Sequence, residues 1–218
     1  MSPSMCSDFV IEPGRIADAS RAAELIVETD LTLFSWYGDG DPSLWRDITE
    51  WERRAESGIY SYTMSQVVRQ RGTVVGLLVS YSPARGAQID WSLGAAHPHI
   101  EAGRWARLAE LRPLSNFLFA AIPGDAYYVQ NLVIDPTARG CGLAKRLMEQ
   151  AFSAGQAAGC RSCHLDVSST NPAVDFYQGL GMYVAVETVV PALQRRGISS
   201  HYRMVKWLAA AAPNRFMA

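Results

Sequence analysis

Residues 127–152, YYVQNLVIDPTARGCGLAKRLMEQAF, read as a strand, a glycine turn and a helix in immediate succession. Val129, Leu132, Val133 and Ile134 form a β-branched and aliphatic run beside two tyrosines, which suits a strand buried on both faces of a sheet. Asp135 and Pro136 end it. Beyond the turn, Leu143, Leu147, Met148, Ala151 and Phe152 recur at helical spacing, with Lys145, Arg146, Glu149 and Gln150 opposite. That helix has one stripe to bury.

The turn Arg139-Gly140-Cys141-Gly142-Leu143-Ala144 is where chemistry can enter, because its glycines let the backbone approach a ligand with no Cβ in the way. The first N–H groups of the following helix lack partners and carry the positive end of its dipole, so they can converge on an anion, phosphate above all. A plain strand–helix connection would use the same residues. A Walker loop is excluded, because Lys145 follows Ala144 and precedes Arg146. A dinucleotide fingerprint is a poor fit, since Lys145 stands where Gly or Ala is needed and the motif lies two thirds along the chain.

What remains is R-x-x-G-x-A. With the preceding strand and Pro136 it resembles the coenzyme A pyrophosphate loop of the GNAT superfamily of N-acetyltransferases. The resemblance continues into a second half, where CHLDVSS is followed by Asn171, Ala173, Phe176, Tyr177, Gly181 and Met182 in NPAVDFYQGLGM. Both halves in order cover about sixty residues, from Tyr127 to about Val190.

The resemblance implies an α/β chain with the acyl-CoA N-acyltransferase fold: a mixed, mostly antiparallel twisted sheet of about seven strands, with a central parallel pair flanked by helices. It implies acetyl-CoA as cosubstrate and an acetyl group passing to a primary amine by direct attack in a ternary complex. The backbone of Leu132, Val133 and Ile134 would then meet the pantetheine arm, and an N–H on this strand would polarise the thioester carbonyl. Arg139, Gly140, Cys141, Gly142, Leu143 and Ala144 would hold the pyrophosphate. Asn171 would bind the pantetheine arm or, on its residue type alone, cap the helix that opens at Pro172. Tyr177 would protonate the departing thiolate, or serve only as a core aromatic beside Phe176.

The base is not legible. An amine with a pKa of about 10.4 is mostly protonated at pH 7, a deficit of about 3.4 pH units or about 4.6 kcal/mol. The 127–134 strand has no Glu, and Gln130 and Asn131 cannot act as bases. Asp125, Asp166 and His201 are candidates by type, as is a water relay. The acceptor, a small molecule or a peptide, is equally unread. A non-catalytic acyl-CoA binder and a transferase for a longer acyl group are the rival readings.

The rest of the chain fits one domain, residues 1–218, with an insert at 83–126. Its 218 residues are 49% hydrophobic and 19% charged, with 20 basic against 21 acidic side chains, so no whole-molecule field draws in nucleic acid or a membrane. The first residues, MSPSMCSDF, have neither the basic start nor the apolar core of a secretory signal, and no apolar run is long enough to span a bilayer. A cytoplasmic protein is the expectation, with Cys6, Cys141, Cys160 and Cys163 as reduced thiols. Cys160-Arg161-Ser162-Cys163-His164 matches haem-attachment and redox spacings, but attachment needs export and a zinc site needs a second ligand pair. No metal is expected.

In chain order, DFVIEP suggests a strand, residues 15–29 an amphipathic helix, and 31–37 and 44–55 a helical region broken at residues 38–42. Phe34, Trp36 and Tyr37 suit core packing or one wall of an acceptor pocket. Residues 59–69 and 73–82 read as a hairpin turning at Gln70-Arg71-Gly72. The 83–126 segment suggests a helix broken at Pro113, serving as an acceptor wall or as an oligomer contact such as a homodimer interface. Residues 183–190 and 199–207 complete the sheet as an antiparallel pair.

Overall fold

The computed structural model describes residues 8–38, 40–92, 97–98 and 100–208. One seven-stranded sheet runs through them: β1 (Phe9–Pro13), β2 (Ser65–Gln70), β3 (Thr73–Tyr81), β4 (Ala126–Ile134), β5 (Ser162–Ser168), β6 (Tyr183–Thr188) and β7 (His201–Trp207). Their spatial order is β1-β2-β3-β4-β5-β7-β6. Every neighbouring pair is antiparallel except β4 and β5. The helices are α1 (Ala19–Glu28), α2 (Leu31–Tyr37), α3 (Ser43–Arg53), α4 (Pro83–Gly86), α5 (Ala102–Asn116), α6 (Leu143–Ala157), α7 (Ala173–Gly179) and α8 (Pro191–Gln194). The fold is the mixed sheet with a central parallel pair that the sequence implies.

The centre of the sheet is irregular. On β3, Val79 pairs with Asn131 and Ser80 with Val129, so Gln130 is an extra residue in β4. Burial records the same slip. Tyr127 and Val129 pack in the core that holds α6, whereas beyond the bulge it is Ile134 that joins that core while Val133 turns to the α1 side. The parallel pairing runs only from Ala126–Ser162 to Val129–Leu165, although β4 continues to Ile134 and β5 to Ser168. Beyond the bulge the two strands part.

The apolar stripe of α6 buries Leu143, Leu147, Met148, Ala151 and Phe152 against this sheet. Gly155 lets the helix come close, because a Cβ there would lie 2.9 Å from Tyr127 Cβ and 2.8 Å from Leu208 Cδ1. Leu147 has no exposed surface. Leu147→Ala is therefore expected to cost about 2–5 kcal/mol in chemical denaturation, the range for a buried leucine whose cavity does not collapse.

Two expectations need correction. The 59–69 stretch is strand only from Ser65; Tyr62–Met64 is a 3₁₀ turn instead. Ser61 Oγ accepts from Thr63 N–H at 3.2 Å and Ser65 Oγ donates to the Tyr62 carbonyl at 2.8 Å, local bonds that outweigh the alternating pattern. The helix at 83–126 is not broken at Pro113 but runs through it. Pro113 and Ala109, whose carbonyl would otherwise bond to residue 113, are both exposed, so the freed acceptor is open to solvent rather than buried.

Glu52 on α3 is buried, and loss of hydration pushes its carboxyl up from 4.5 to about 7 despite backbone N–H bonds from Tyr60 and Ile59. A raised folded value means the stabilisation belonging to the protonated group is complete below pH 4.5 and is lost as pH rises through about 7. Glu52→Gln should therefore stabilise the fold above pH 7, on the order of 3 kcal/mol, and change little below pH 4.5. Urea midpoints at pH 4.5 and 8 check this.

Candidate active site

Where β4 and β5 separate, a cavity of about 590 Å³ opens. Its floor is β4 from Val129 to Ile134 and β5 from Leu165 to Ser168. One end is closed by Arg139, Ala144, Asn171, Ala173, Phe176 and Tyr177. Glu28, Thr29, Asp30, Phe34, Tyr37, Trp45, Tyr60, Phe119 and His201 supply the remaining walls. The inner strands thus give both surfaces of a slot, and the elements before and after them give its ends.

The glycine turn is built for close approach. Gly140 and Gly142 have φ of +83° and +71°, left-handed values that favour glycine, and a Cβ on Gly142 would meet nothing within 4 Å. Arg146 N–H bonds the Gly142 carbonyl at 3.1 Å, leaving the N–H groups of Leu143, Ala144 and Lys145 without intrahelical acceptors. Arg139 Nε donates to the Ile134 carbonyl at 3.0 Å, which folds the guanidinium back beside the end of β4. Asp135, held by Arg21, accepts from Thr137 N–H at 2.9 Å and so fixes the turn into Pro136–Ala138.

The expected site residues divide in two. Leu132, Val133, Ile134, Arg139, Ala144, Asn171 and Tyr177 all line the cavity. Gly140, Cys141, Gly142 and Leu143 do not; Leu143 packs its side chain in the core under α6, and only its backbone opens the helix. Asn171 Oδ1 accepts from Ala173 N–H at 2.9 Å, which ties its side chain to the first residue of α7 on the cavity wall itself. Tyr177 is buried, and burial alone pushes its phenol well above the ordinary range. It stays protonated at any physiological pH, as a proton donor must.

Of the three candidate bases, Asp125 lies off the cavity in an exposed ion pair with Arg161, at 3.6 Å. Asp166 faces the cavity but is locked: Arg203 donates to its two oxygens at 2.7 and 2.8 Å, and Tyr128 donates its hydroxyl at 2.7 Å. His201 faces it too, with Nε2 3.5 Å from Asp30 Oδ2.

The cysteines need a correction as well. Cys160 and Cys163 are free and buried, but Cys141 is disulfide-bonded, against the expectation of four reduced thiols; Cys6 lies outside the described residues. Cys163 packs under α6, while His164 Nε2 bonds Ser162 Oγ at 2.9 Å, so the C-x-x-C-H run is spent on strand packing. Among the described residues no group of three His, Cys, Asp or Glu side chains is arranged to hold a metal. Among the same residues no helix is long and apolar enough to cross a membrane.

The model of the acetyltransferase (GNAT) family matches residues 29–182. The chain belongs to the GNAT acetyltransferase family. Solved structures agree on the fold. An N-acetyltransferase from Staphylococcus aureus Mu50 superposes with a TM-score of 0.70 at 15% identity, covering 90% of this chain and 100% of that one. The NatC complex bound to Gag peptide and CoA gives 0.52 at 14%, covering 93% and 99%. The ribosomal-protein-S18-alanine N-acetyltransferase from Escherichia coli gives 0.51 at 13%, covering 96% and 99%. At such identities the likeness is one of fold. No curated protein matches the sequence.

Several residues of this GNAT site carry no motif. Asp30 lies between two stretches read as helix, Trp45 near the start of a helical stretch, Tyr60 in a stretch read as strand and Phe119 in the 83–126 insert. Of the three aromatics singled out at 34–37, Phe34 and Tyr37 line the cavity and Trp36 does not. Arg203 is the most consequential omission. Besides gripping Asp166 it lies 5.5 Å from the Tyr128 ring and donates to the carbonyls of Ala120 and Ala121, fastening the 83–126 segment beside the parallel strands. Only its position on an alternating strand could have marked it as inward-facing.

Proposed function

We propose that the protein transfers the acetyl group of acetyl-CoA to a primary amine by direct attack while both are bound. The observation that carries this reading is the slot itself: β4 and β5 part after Val129 and Leu165, and the gap is bounded by Arg139 and Ala144 at the two ends of the glycine turn, by Tyr177 and by an acidic, aromatic end. A strand edge released by a bulge offers unpaired backbone groups along which the extended pantetheine arm can lie. The N–H groups that open α6, with Arg139, suit the pyrophosphate. Acetyl-CoA supplies the activated acyl group.

The chain's own residues do the rest. β4 backbone N–H groups polarise the acyl carbonyl, and Tyr177 gives its proton to the leaving sulfur. Glu28 and Asp30 make the opposite end acidic, which favours an acceptor that arrives as an ammonium. Two structural neighbours are named for protein or peptide substrates, so peptide amines belong in the acceptor panel with small amines. A cytoplasmic setting, where acetyl-CoA is made and used, fits the reaction.

The test combines two measurements. Saturating acetyl-CoA should raise the melting temperature, since at 100 times Kd binding adds about 2.7 kcal/mol. Thiol release with a panel of amines and short peptides should then exceed the rate without acceptor. Stabilisation with no release from any amine would make the protein a binder; no stabilisation would end the coenzyme A reading.

A further inference from the structure

We infer that His201, with Asp30 beside it, is the general base that takes the proton from the acceptor's ammonium. The inference rests on the transfer reaction proposed above and supplies the group that the β4 strand lacks. His201 is the first residue of β7 and Asp30 is the N-cap of α2, so the pair joins two distant parts of the chain across one end of the cavity.

The geometry sets the tautomer. His201 Nδ1 lies 3.2 Å from the Ser199 carbonyl, an acceptor that can only receive a hydrogen bond, so the neutral ring carries its proton on Nδ1. Nε2 is then the free lone pair. It faces Asp30 Oδ2 at 3.5 Å, too far for a settled hydrogen bond but close enough for the carboxylate to stabilise an imidazolium. Asp30 Oδ1 accepts from Leu33 N–H at 3.0 Å, which holds the carboxylate in place. The Phe119 ring stands edge-on to the imidazole, with centroids 5.5 Å apart.

No other described charge competes for Nε2. On the flanking strands His201 pairs with Ser168 of β5 and Thr188 of β6, neither of which titrates. Glu187 is turned to Ser200 Oγ at 2.7 Å, and Asp166 is held by Arg203 and Tyr128. On the same cavity wall, Asn131 donates through Nδ2 to Thr29 Oγ1 at 3.1 Å, while its buried Oδ1 has no partner. Asn131 Oδ1 is therefore an open acceptor on this wall, which an ammonium would satisfy.

The proton account closes. The acceptor nitrogen loses two protons and gains the bond to the acyl carbon, while the carbon–sulfur bond breaks with its electron pair on sulfur. One proton passes to His201 Nε2 and on to water. The other leaves as the tetrahedral adduct collapses and balances the proton that Tyr177 gives to sulfur.

The test uses the full chain, acetyl-CoA and the best amine of the panel. His201→Gln should lower kcat/KM about 100-fold or more and abolish the acid limb of its pH profile, with the acetyl-CoA melting shift unchanged. Asp30→Asn should raise KM for the amine about 10-fold with a smaller change in kcat, as expected on removing a carboxylate that attracts the arriving ammonium. A His201→Gln enzyme within threefold of wild type and with the same pH profile would overturn the base assignment while leaving the transferase reading intact. Wild-type protein that releases thiol with no amine would remove both. Should His201→Gln not fold, ¹⁵N spectra of the wild-type imidazole decide: a neutral ring protonated on Nδ1 supports the assignment, and one protonated on Nε2 overturns it.

Discussion

Tyr177→Phe is expected to lower kcat about 100-fold, near the low end of what a positioned proton donor contributes, and to leave KM for acetyl-CoA almost unchanged. Removing one hydroxyl keeps the ring that packs against Phe176, whose centroid lies 5.3 Å away, so the fold should survive. The acid role has a second signature. With the phenol held far above its usual range, the wild-type rate should show no limb from Tyr177 ionisation at any pH where the fold persists. An acceptor-independent check is the leaving group: an acyl donor whose thiol is more acidic needs less protonation, so the deficit of the variant should shrink with it. Full turnover in Tyr177→Phe would reduce the residue to a packing aromatic.

Arg203→Met should destabilise the protein by about 3–5 kcal/mol, the usual cost of removing one partner from a buried pair. The two side chains are 4% and 3% exposed, so Asp166 would be left with its charge in a dry site and only Tyr128 as donor. The same change frees the carbonyls of Ala120 and Ala121. The damage should therefore reach the acceptor end, where Phe119 lies, and raise KM for the amine more than KM for acetyl-CoA. Chemical denaturation gives the first quantity and steady-state kinetics the second. A double change of Arg203 to Met and Asp166 to Leu should recover much of the lost stability, because it removes the unpaired charge along with its partner.

What could be read from residues alone is the part of the molecule made by local rules. The β4–turn–α6 unit announced itself because a β-branched run, two glycines and a 3.6-residue stripe lie within 26 residues, each obeying one periodicity. The cavity end lined by Arg139, Ala144, Asn171 and Tyr177, the one proposed here for the coenzyme, followed from the same stretch and from Asn171 and Tyr177. The acceptor side did not, because its residues meet only in three dimensions: Asp30 and His201 are 171 positions apart. Asp30 falls between two stretches read as helix and is a helix cap, so the residue that bonds Leu33 N–H gives no local sign of facing His201. The misread strand at 59–64 and the unbroken helix at Pro113 share a cause. In both, a local preference was right about the residue and silent about what stood nearby, serine hydroxyls or open solvent.

The extra residue at Gln130 makes the central strand sensitive to its count as well as its composition. Deleting that residue would restore an unbroken ladder with β3 while leaving Asn131 to Ile134 on the faces they now hold, Val133 toward α1 and Ile134 toward α6; the local kink would be lost, and the gap between the inner strands would zip shut. A shortened chain of this kind could keep every side chain named above and still lose the room in which they work.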